Sequence, residues 1–277
     1  MNKFVLAVSG GVDSVALLDI FAKHPDSEII VAHFDHGIRP DSADDAKFVE
    51  GLAGKYGCKF ETKREELGPN ASEELARDRR YAFLLSIANK YDAKLVTAHH
   101  ADDVIESIAI NLTRGTGWRG LAVLDSGIIR PLTYTTKSEL LEYAKRKGLV
   151  WHEDSTNSSD DYLRNRIRKS LENFDEDSKL QLLGLWVEQK SIKRAIIKEV
   201  EKLIDGGPEY SRYFFINIDV SSAMECLRHI THGLLTRPQL MNALNAIKVI
   251  SAGKVYEAGS GVKINFTSRF FTVELLK

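Results

Sequence analysis

The chain is poor in several features that would decide its class at once. Its thiols are Cys58 and Cys226, far apart and in no Cys-x-x-Cys pair, which excludes a disulfide framework and the usual zinc or iron–sulfur spacings. With 6 prolines and 19 glycines in 277 residues, neither a collagen-like nor a low-complexity chain is at hand. No run approaches the ~20 apolar residues of a membrane helix. The opening Met-Asn-Lys-Phe-Val-Leu-Ala-Val-Ser-Gly-Gly is cut off by glycines too soon for a secretory signal. The cytoplasm is the expected compartment, with no membrane partner. Positive charge is not in excess either: the formal net charge is −1, so any polyanion must be met by local basic patches.

What is present is an ordinary globular composition, 43% hydrophobic and 28% charged, in a length that accommodates a large domain and a smaller one. Short β-branched runs at 4–8, 29–34, 59–63, 94–98 and near 128–130 alternate with helical spacing at 15–21, 46–56, 72–91 and 104–112. That alternation predicts an α/β domain with a doubly wound parallel sheet over residues 1–160. Thr136 with Glu139 reads as a capping box and Gly148 as a helix stop, giving a helix expected at the sheet edge. A polar loop over 151–162 leads into a basic helix, then a long helix over 178–204, another near 238–250, and short strands at 254–257, 262–265 and 270–275. Residues 161–277 thus read as a smaller helical, α+β domain.

The strongest local signal is Ser9-Gly10-Gly11-Val12-Asp13-Ser14, leaving the first strand and opening the first helix. Adjacent glycines let the backbone approach a ligand, and a helix N-terminus offers unpaired N–H groups to an anion. The loop lacks the Lys-Ser/Thr of a Walker A motif and is not a dinucleotide GxGxxG. It resembles the pyrophosphate loop of ATP pyrophosphatases, which split ATP between its α and β phosphates. The competing reading is a glycine-rich turn with Asp13 as a mere cap.

Three further blocks lie where strands end, the side on which doubly wound sheets bind ligands. Ala32-His33-Phe34-Asp35-His36-Gly37 reads equally as a crevice wall or a simple turn. Glu73 to Phe83 carries a basic cluster that is otherwise a solvated helix face. His99-His100-Ala101-Asp102-Asp103-Val104-Ile105-Glu106 brings Asp102, Asp103 and Glu106 to one helix face by i,i+3 and i,i+4 spacing, as catalytic carboxylates or as caps and solvated charges.

Taken with Asn111-Leu112-Thr113-Arg114-Gly115-Thr116-Gly117, Arg119-Gly120-Leu121, Arg130-Pro131-Leu132, Glu153-Asp154-Ser155-Thr156-Asn157 and Arg164-Asn165-Arg166-Ile167-Arg168, these blocks resemble the tRNA(Ile)-lysidine synthetase family over about two thirds of the chain. Val104 stands where that family often has glutamine, and Ser155 where it often has proline. The resemblance implies a ligase using ATP and Mg²⁺, with Ser9, Gly10, Gly11, Val12, Asp13, Ser14, His33 and Asp35 around ATP, and Asp13 also as the metal carboxylate. It implies Asp13, Asp102, Asp103 and Glu106 as catalytic residues. Arg77, Arg114, Arg164, Arg166 and Arg168 are then expected on an isoleucine tRNA with a CAU anticodon, free L-lysine being the second substrate. The oligomeric state is left open, a homodimer included. Rivals are a sulfur-inserting tRNA thiolase, which needs catalytic cysteines or a cluster, an amidating synthetase, which gives no reason for the basic helix, and a non-catalytic nucleotide or RNA-binding protein.

Overall fold

The computed structural model describes residues 2–24, 26–37, 42–68, 71–152, 163–171, 174–204 and 207–276. Strand β1 (Asn2–Ala7) runs into α1 (Val12–Ala22), β2 (Ser27–Asp35) into α2 (Ser42–Lys55), β3 (Lys59–Arg64) into α3 (Glu73–Tyr91), and β4 (Lys94–Val96) into α4 (Ala101–Thr113). The strands pair in parallel in the order β3-β2-β1-β4. Because strand side chains alternate between faces, Leu6 and Val31 pack with Leu17 and Leu18 of α1 and Val49 of α2. Val5, Ile30 and Ala32 pack with Phe83, Leu84 and Ile87 of α3. Both faces are covered, which is why these strands read as continuous apolar runs, and the α/β expectation is borne out.

The strand expected near 128–130 is not one. Ile129 makes a single parallel bridge with Val96, its N–H donating to Leu95 O at 2.9 Å and its carbonyl accepting from Thr97 N at 3.0 Å. Pro131 offers no N–H with which to extend a ladder. Arg130 instead turns back, donating from Nη1 to the carbonyls of Leu124 (2.9 Å) and Ile128 (3.3 Å). Helices α1 and α4 begin three residues before their apolar period does, since a helix starts where its first turn is satisfied and not where its buried stripe begins.

Helix α5 (Lys137–Arg146) carries the expected capping box: Thr136 N–H donates to Glu139 Oε2 at 2.7 Å, and Glu139 N–H to Thr136 Oγ1 at 3.3 Å. It lies against α1, with Leu140 in their shared core. Helix α6 (Leu163–Leu171) lies against α4. Helix α7 (Glu176–Leu203) sends the buried Trp186 onto Ala101, Val104, Ile105 and Ile108 of α4, and the Trp186 indole N–H donates to Val123 O at 2.8 Å.

The chain forms two compact units, Met1–Lys190 and Ser191–Lys277. The boundary expected at 160 lies outside the described residues. In the second unit β5 (Glu209–Ser211), α8 (Arg212–Asn217), α9 (Val220–Ile230) and α10 (Arg237–Val249) precede β6 (Val255–Gly259), β7 (Val262–Phe266) and β8 (Phe270–Leu275). The strands form an antiparallel sheet ordered β5-β8-β7-β6, as the alternation in the last three predicts. Val262, Ile264, Phe266 and Phe271 face Leu227, Leu240 and Leu244 in its core. Arg212 holds the end of α10, donating to the carbonyls of Ile247 at 2.9 Å and Ile250 at 2.8 Å. Among the described residues no helix is long and apolar enough to cross a membrane.

Candidate active site

The loop between β1 and α1 is organised around one hydroxyl. Ser14 Oγ accepts from the backbone N–H of Ser9 (3.1 Å) and of Gly10 (3.3 Å), and donates to Gly11 O at 2.9 Å. Successive amides converging on a single oxygen form a concave array that suits an anion. Gly10 sits at φ +99°, a conformation that side chains rarely adopt. The loop is braced from outside: His152 N–H donates to Gly10 O at 3.0 Å, the His152 ring stacks on Phe48 at 4.1 Å, and His152 Nδ1 meets Asp45 Oδ1 at 2.6 Å.

Asp13, in the first turn of α1, does not stand alone. Lys137 Nζ donates to both of its carboxylate oxygens at 2.7 Å, across 124 residues of sequence. The backbone N–H of the same Lys137 donates to Asp102 Oδ2 at 2.8 Å. Buried His100 completes the group: its Nδ1 is 3.4 Å from Asp102, its Nε2 is 3.6 Å from Asp103 and 3.8 Å from Asp13. Burial opposes charge on His100, but the carboxylates of Asp102, Asp103 and Asp13 outweigh it and raise the imidazole above its ordinary value. Facing His100, and accepting the Lys137 N–H, the Asp102 carboxyl is held at about 2 despite its own burial. Asp103 Oδ2 also accepts His100 N–H at 2.9 Å, which fixes the start of α4. Glu106 is buried one turn further along α4.

Beside this acidic group lies a basic one. His99, next in sequence to His100, is pushed down to about 3 by burial and then by Arg130, Arg80 and Arg77. Its Nδ1 pairs with Thr97 Oγ1 at 2.8 Å. Arg77 and Arg80 both lie over the Tyr81 ring, at 4.9 and 5.5 Å. His33 and Asp35, at the end of β2, are almost fully buried. His33 Nδ1 meets Val8 O at 2.9 Å, tying β2 to the entry of the phosphate loop. Asp35 accepts from Gly37 N–H and from Arg64 Nη1, each at 2.9 Å. Burial raises the Asp35 carboxyl, but the Gly37 amide, Ser42 and Arg64 hold it below the usual range.

The structure thus gathers Asp13, Asp102 and Asp103 and adds His100 and Lys137, to which no role is given by the sequence. Lys137 is hidden there inside a capping box, which accounts for its neighbours without it; the two carboxylates it meets come from other segments. Arg114, at the end of α4, and Arg166, on α6, are exposed. The side chains of Arg164 and Arg168, residues 153–157 and the end of the histidine block at 38–40 lie outside the described residues.

A cation site is already defined at Asp13, where the Lys137 ammonium meets both oxygens. Oxygen donors at Asp13, Asp102 and Asp103 suit Mg²⁺, which keeps waters and takes one or two carboxylates plus substrate phosphates. Among the described residues no group of three or more His, Cys, Asp or Glu is placed to hold a metal ion by itself.

Comparison with known proteins agrees with this geometry. The tRNA(Ile)-lysidine synthase of Lactobacillus johnsonii is 41% identical over 181 residues, covering 60% of this chain and 42% of that protein. The Thermus thermophilus protein of the same name is 40% identical over 175 residues, covering 60% of this chain and 34% of its own length. The matches thus span less than half the length of these curated relatives. The fold is also that of the U34-tRNA thiolase NcsA from Methanococcus maripaludis, solved with its [4Fe-4S] cluster, at a TM-score of 0.56 and 19% identity over 69% of this chain and 71% of that one. A family model described as the PP-loop domain matches residues 1–174, the stretch that carries the phosphate loop and every carboxylate described above, and the chain belongs to that PP-loop family.

Proposed function

We infer that the protein is an ATP-dependent ligase that joins free lysine to C2 of the wobble cytidine in an isoleucine tRNA with a CAU anticodon, giving lysidine. The observation that carries this reading is the convergence of Asp13, His100, Asp102, Asp103 and Lys137 beside the phosphate loop, in a chain of which 60% matches lysidine synthases at about 40% identity. The loop amides and the hydroxyls of Ser9 and Ser14 grip the β and γ phosphates of ATP, while the cytidine C2 oxygen attacks the α phosphorus and pyrophosphate leaves. Asp13, with Asp102 or Asp103 beside it, would hold a Mg²⁺ ion together with the phosphates, and the ion would supply charge neutralisation there. With that carboxylate so engaged, the Lys137 ammonium would be free to turn from Asp13 to the phosphates.

In the second step the lysine ε-amine displaces AMP from the adenylated cytidine. At neutral pH about one amine in a thousand is uncharged, a deficit of about 4–5 kcal/mol, so a proton acceptor is needed. Asp102, held at about 2, is a weak base; its part is to fix Lys137 and His100. Asp103 is assigned the proton, with the buried Glu106, three residues on along α4, as the other candidate. Exposed Arg114 and Arg166, together with Arg164 and Arg168, are assigned to the tRNA, the local basic patches that a near-neutral chain requires. The thiolase alternative finds little support, since burial pushes both the Cys58 and Cys226 thiols up, away from the reactive thiolate.

The test is incubation with ATP, Mg²⁺, radiolabelled lysine and an isoleucine tRNA transcript bearing CAU, beside a methionine tRNA with the same anticodon. Label is expected in the isoleucine tRNA alone, with AMP and pyrophosphate released, and with a loss of about 10²-fold or more in Asp13→Ala. Absence of label in both tRNAs, although ATP binds, rejects the reading.

A further inference from the structure

Lys137 meets Asp13 only while α5 keeps one register on α1, and a second contact of the same kind lies further along the two helices. The Tyr143 hydroxyl donates to Asp19 Oδ2 at 2.6 Å. Asp13 to Lys137 and Asp19 to Tyr143 each span 124 residues of sequence. The two helices therefore run the same way at one constant offset, joined at two points about 9 Å apart along each axis. The first joint lies in the carboxylate group, and the second lies outside it.

Asp19 is 5% exposed, on a helix whose other buried residues are chiefly Val, Ala and Leu. A buried charge is costly, and an apolar residue in its place is often neutral or stabilising, so its presence asks for a reason other than stability. Three donors meet it. The Tyr56 hydroxyl donates to Oδ1 at 2.8 Å, and Lys23 Nζ joins Tyr143 on Oδ2. Burial alone would lift the Asp19 carboxyl, but the bonds from Lys23, Tyr143 and Tyr56 hold it below the usual range, so it stays ionised.

The best-attested use of such a buried polar group is to fix register, because hydrogen bonds are directional and apolar contacts are not. Close packing does not complete the task here. A cavity of about 320 Å³ opens beside the second joint, lined by Ile20 of α1 and by Leu140, Tyr143 and Arg146 of α5, among others.

We propose that Asp19 is a positioning residue for the reaction: by holding Tyr143 it sets the register of α5 on α1 that delivers the Lys137 ammonium to Asp13 and the Lys137 N–H to Asp102. The reaction named here rests on the lysidine reading above. Asp19 touches no reacting atom and acts through α5.

Asp19→Ala strands Lys23 and two tyrosine hydroxyls at once, so the cleaner variant is Tyr143→Phe, which removes one hydroxyl and keeps the ring. Tyr56→Phe is its control: it takes an equivalent bond from the same carboxylate but leaves the bond to α5. The first readout is hydrogen exchange of the Lys137 amide, by NMR on the full 277-residue protein without substrates. Tyr143→Phe is expected to speed that exchange by about 3- to 10-fold, the scale of one hydrogen bond, and Tyr56→Phe to leave it within twofold. The second readout is kcat for pyrophosphate release with the isoleucine tRNA. Tyr143→Phe should lower it by about 3- to 10-fold in the wild-type background, and by less than twofold once Lys137→Met is in place, since the effect passes through that ammonium.

Equal exchange at Lys137 in the two tyrosine variants, or the same loss of kcat with and without Lys137→Met, overturns the proposal and leaves Asp19 a structural residue. A wild type that labels no tRNA, while Tyr143→Phe alone speeds the Lys137 exchange, removes the lysidine reading and keeps the register. A Tyr143→Phe variant that labels the tRNA at the wild-type rate with unchanged exchange removes the register and keeps the reading.

Discussion

The phosphate loop and the carboxylate group lie side by side but are built in opposite ways. Every internal hydrogen bond of the loop spans at most five residues, from Ser9 to Ser14, and its shape follows from two glycines and two hydroxyls in a row. The carboxylate group is assembled from three distant segments, around Asp13, His100 and Lys137, and its key bond crosses 124 residues. A locally closed device tolerates changes elsewhere in the fold. A device assembled at a distance depends on the packing of α5 against α1, and fails if either helix shifts.

The largest expected effect is therefore at the joint between them. Lys137→Met removes the ammonium from Asp13 while leaving the backbone N–H to Asp102, and should lower the rate of pyrophosphate release with saturating tRNA by about 10²-fold, the scale of one preorganised charge. A rate within threefold of wild type would mean that the Asp13–Lys137 contact is only a resting pair.

The acid response should come from the distant assembly, not the loop. His99 is held near 3 in the fold against 6.5 in the open chain, so the unfolded state binds the extra proton between those values and stability falls as pH drops below 6.5. His100, raised, works with the opposite sign: its contribution is complete below 6.5 and fades only as pH rises through its folded value. Between pH 6.5 and 5 the His100 contribution is thus constant, and the His99 loss amounts to about 2 kcal/mol. Urea midpoints at the two pH values measure it, and His99→Gln should flatten the difference. An unchanged difference in that variant would move the cause to another group.

The smallest effect is expected within the loop. Ala at position 10 would meet nothing closer than Phe48, at 3.5 Å, so Gly10→Ala has no clash and suffers only the cost of φ +99°, about 1–2 kcal/mol in urea unfolding. A much larger loss would show that the brace by Phe48 and His152 is tighter than its contacts suggest.

The same contrast governs what was legible in the sequence. The loop, the capping box at Thr136 and the alternation of Val262, Ile264 and Phe266 are local patterns, and local patterns survive in one dimension. Strand β5, with three residues, and helix α8, with six, are too short to show a period. Helix α9 has a readable start in Asp219, which accepts from the N–H groups of Ser221 (2.9 Å) and Ser222 (3.2 Å), although the expected elements leave 220–230 unassigned. For the site, i,i+3 and i,i+4 spacing brings Asp102, Asp103 and Glu106 together, but no spacing can say that Lys137 reaches Asp13. Nor can it say that Arg130 closes on Leu124: a β-branched pair before a proline looks like a strand until the carbonyls that claim the guanidinium are seen.

The ends of the parallel sheet bear on how the protein behaves when crowded. On one side β4 has only three residues, extended by a single bridge at Ile129 and then stopped by Pro131. On the other, β3 carries Lys59, Glu61, Lys63 and Arg64 along its length. A short, proline-ended margin and a charged one both refuse a foreign strand, so neither border of the sheet offers a template for edge-to-edge aggregation.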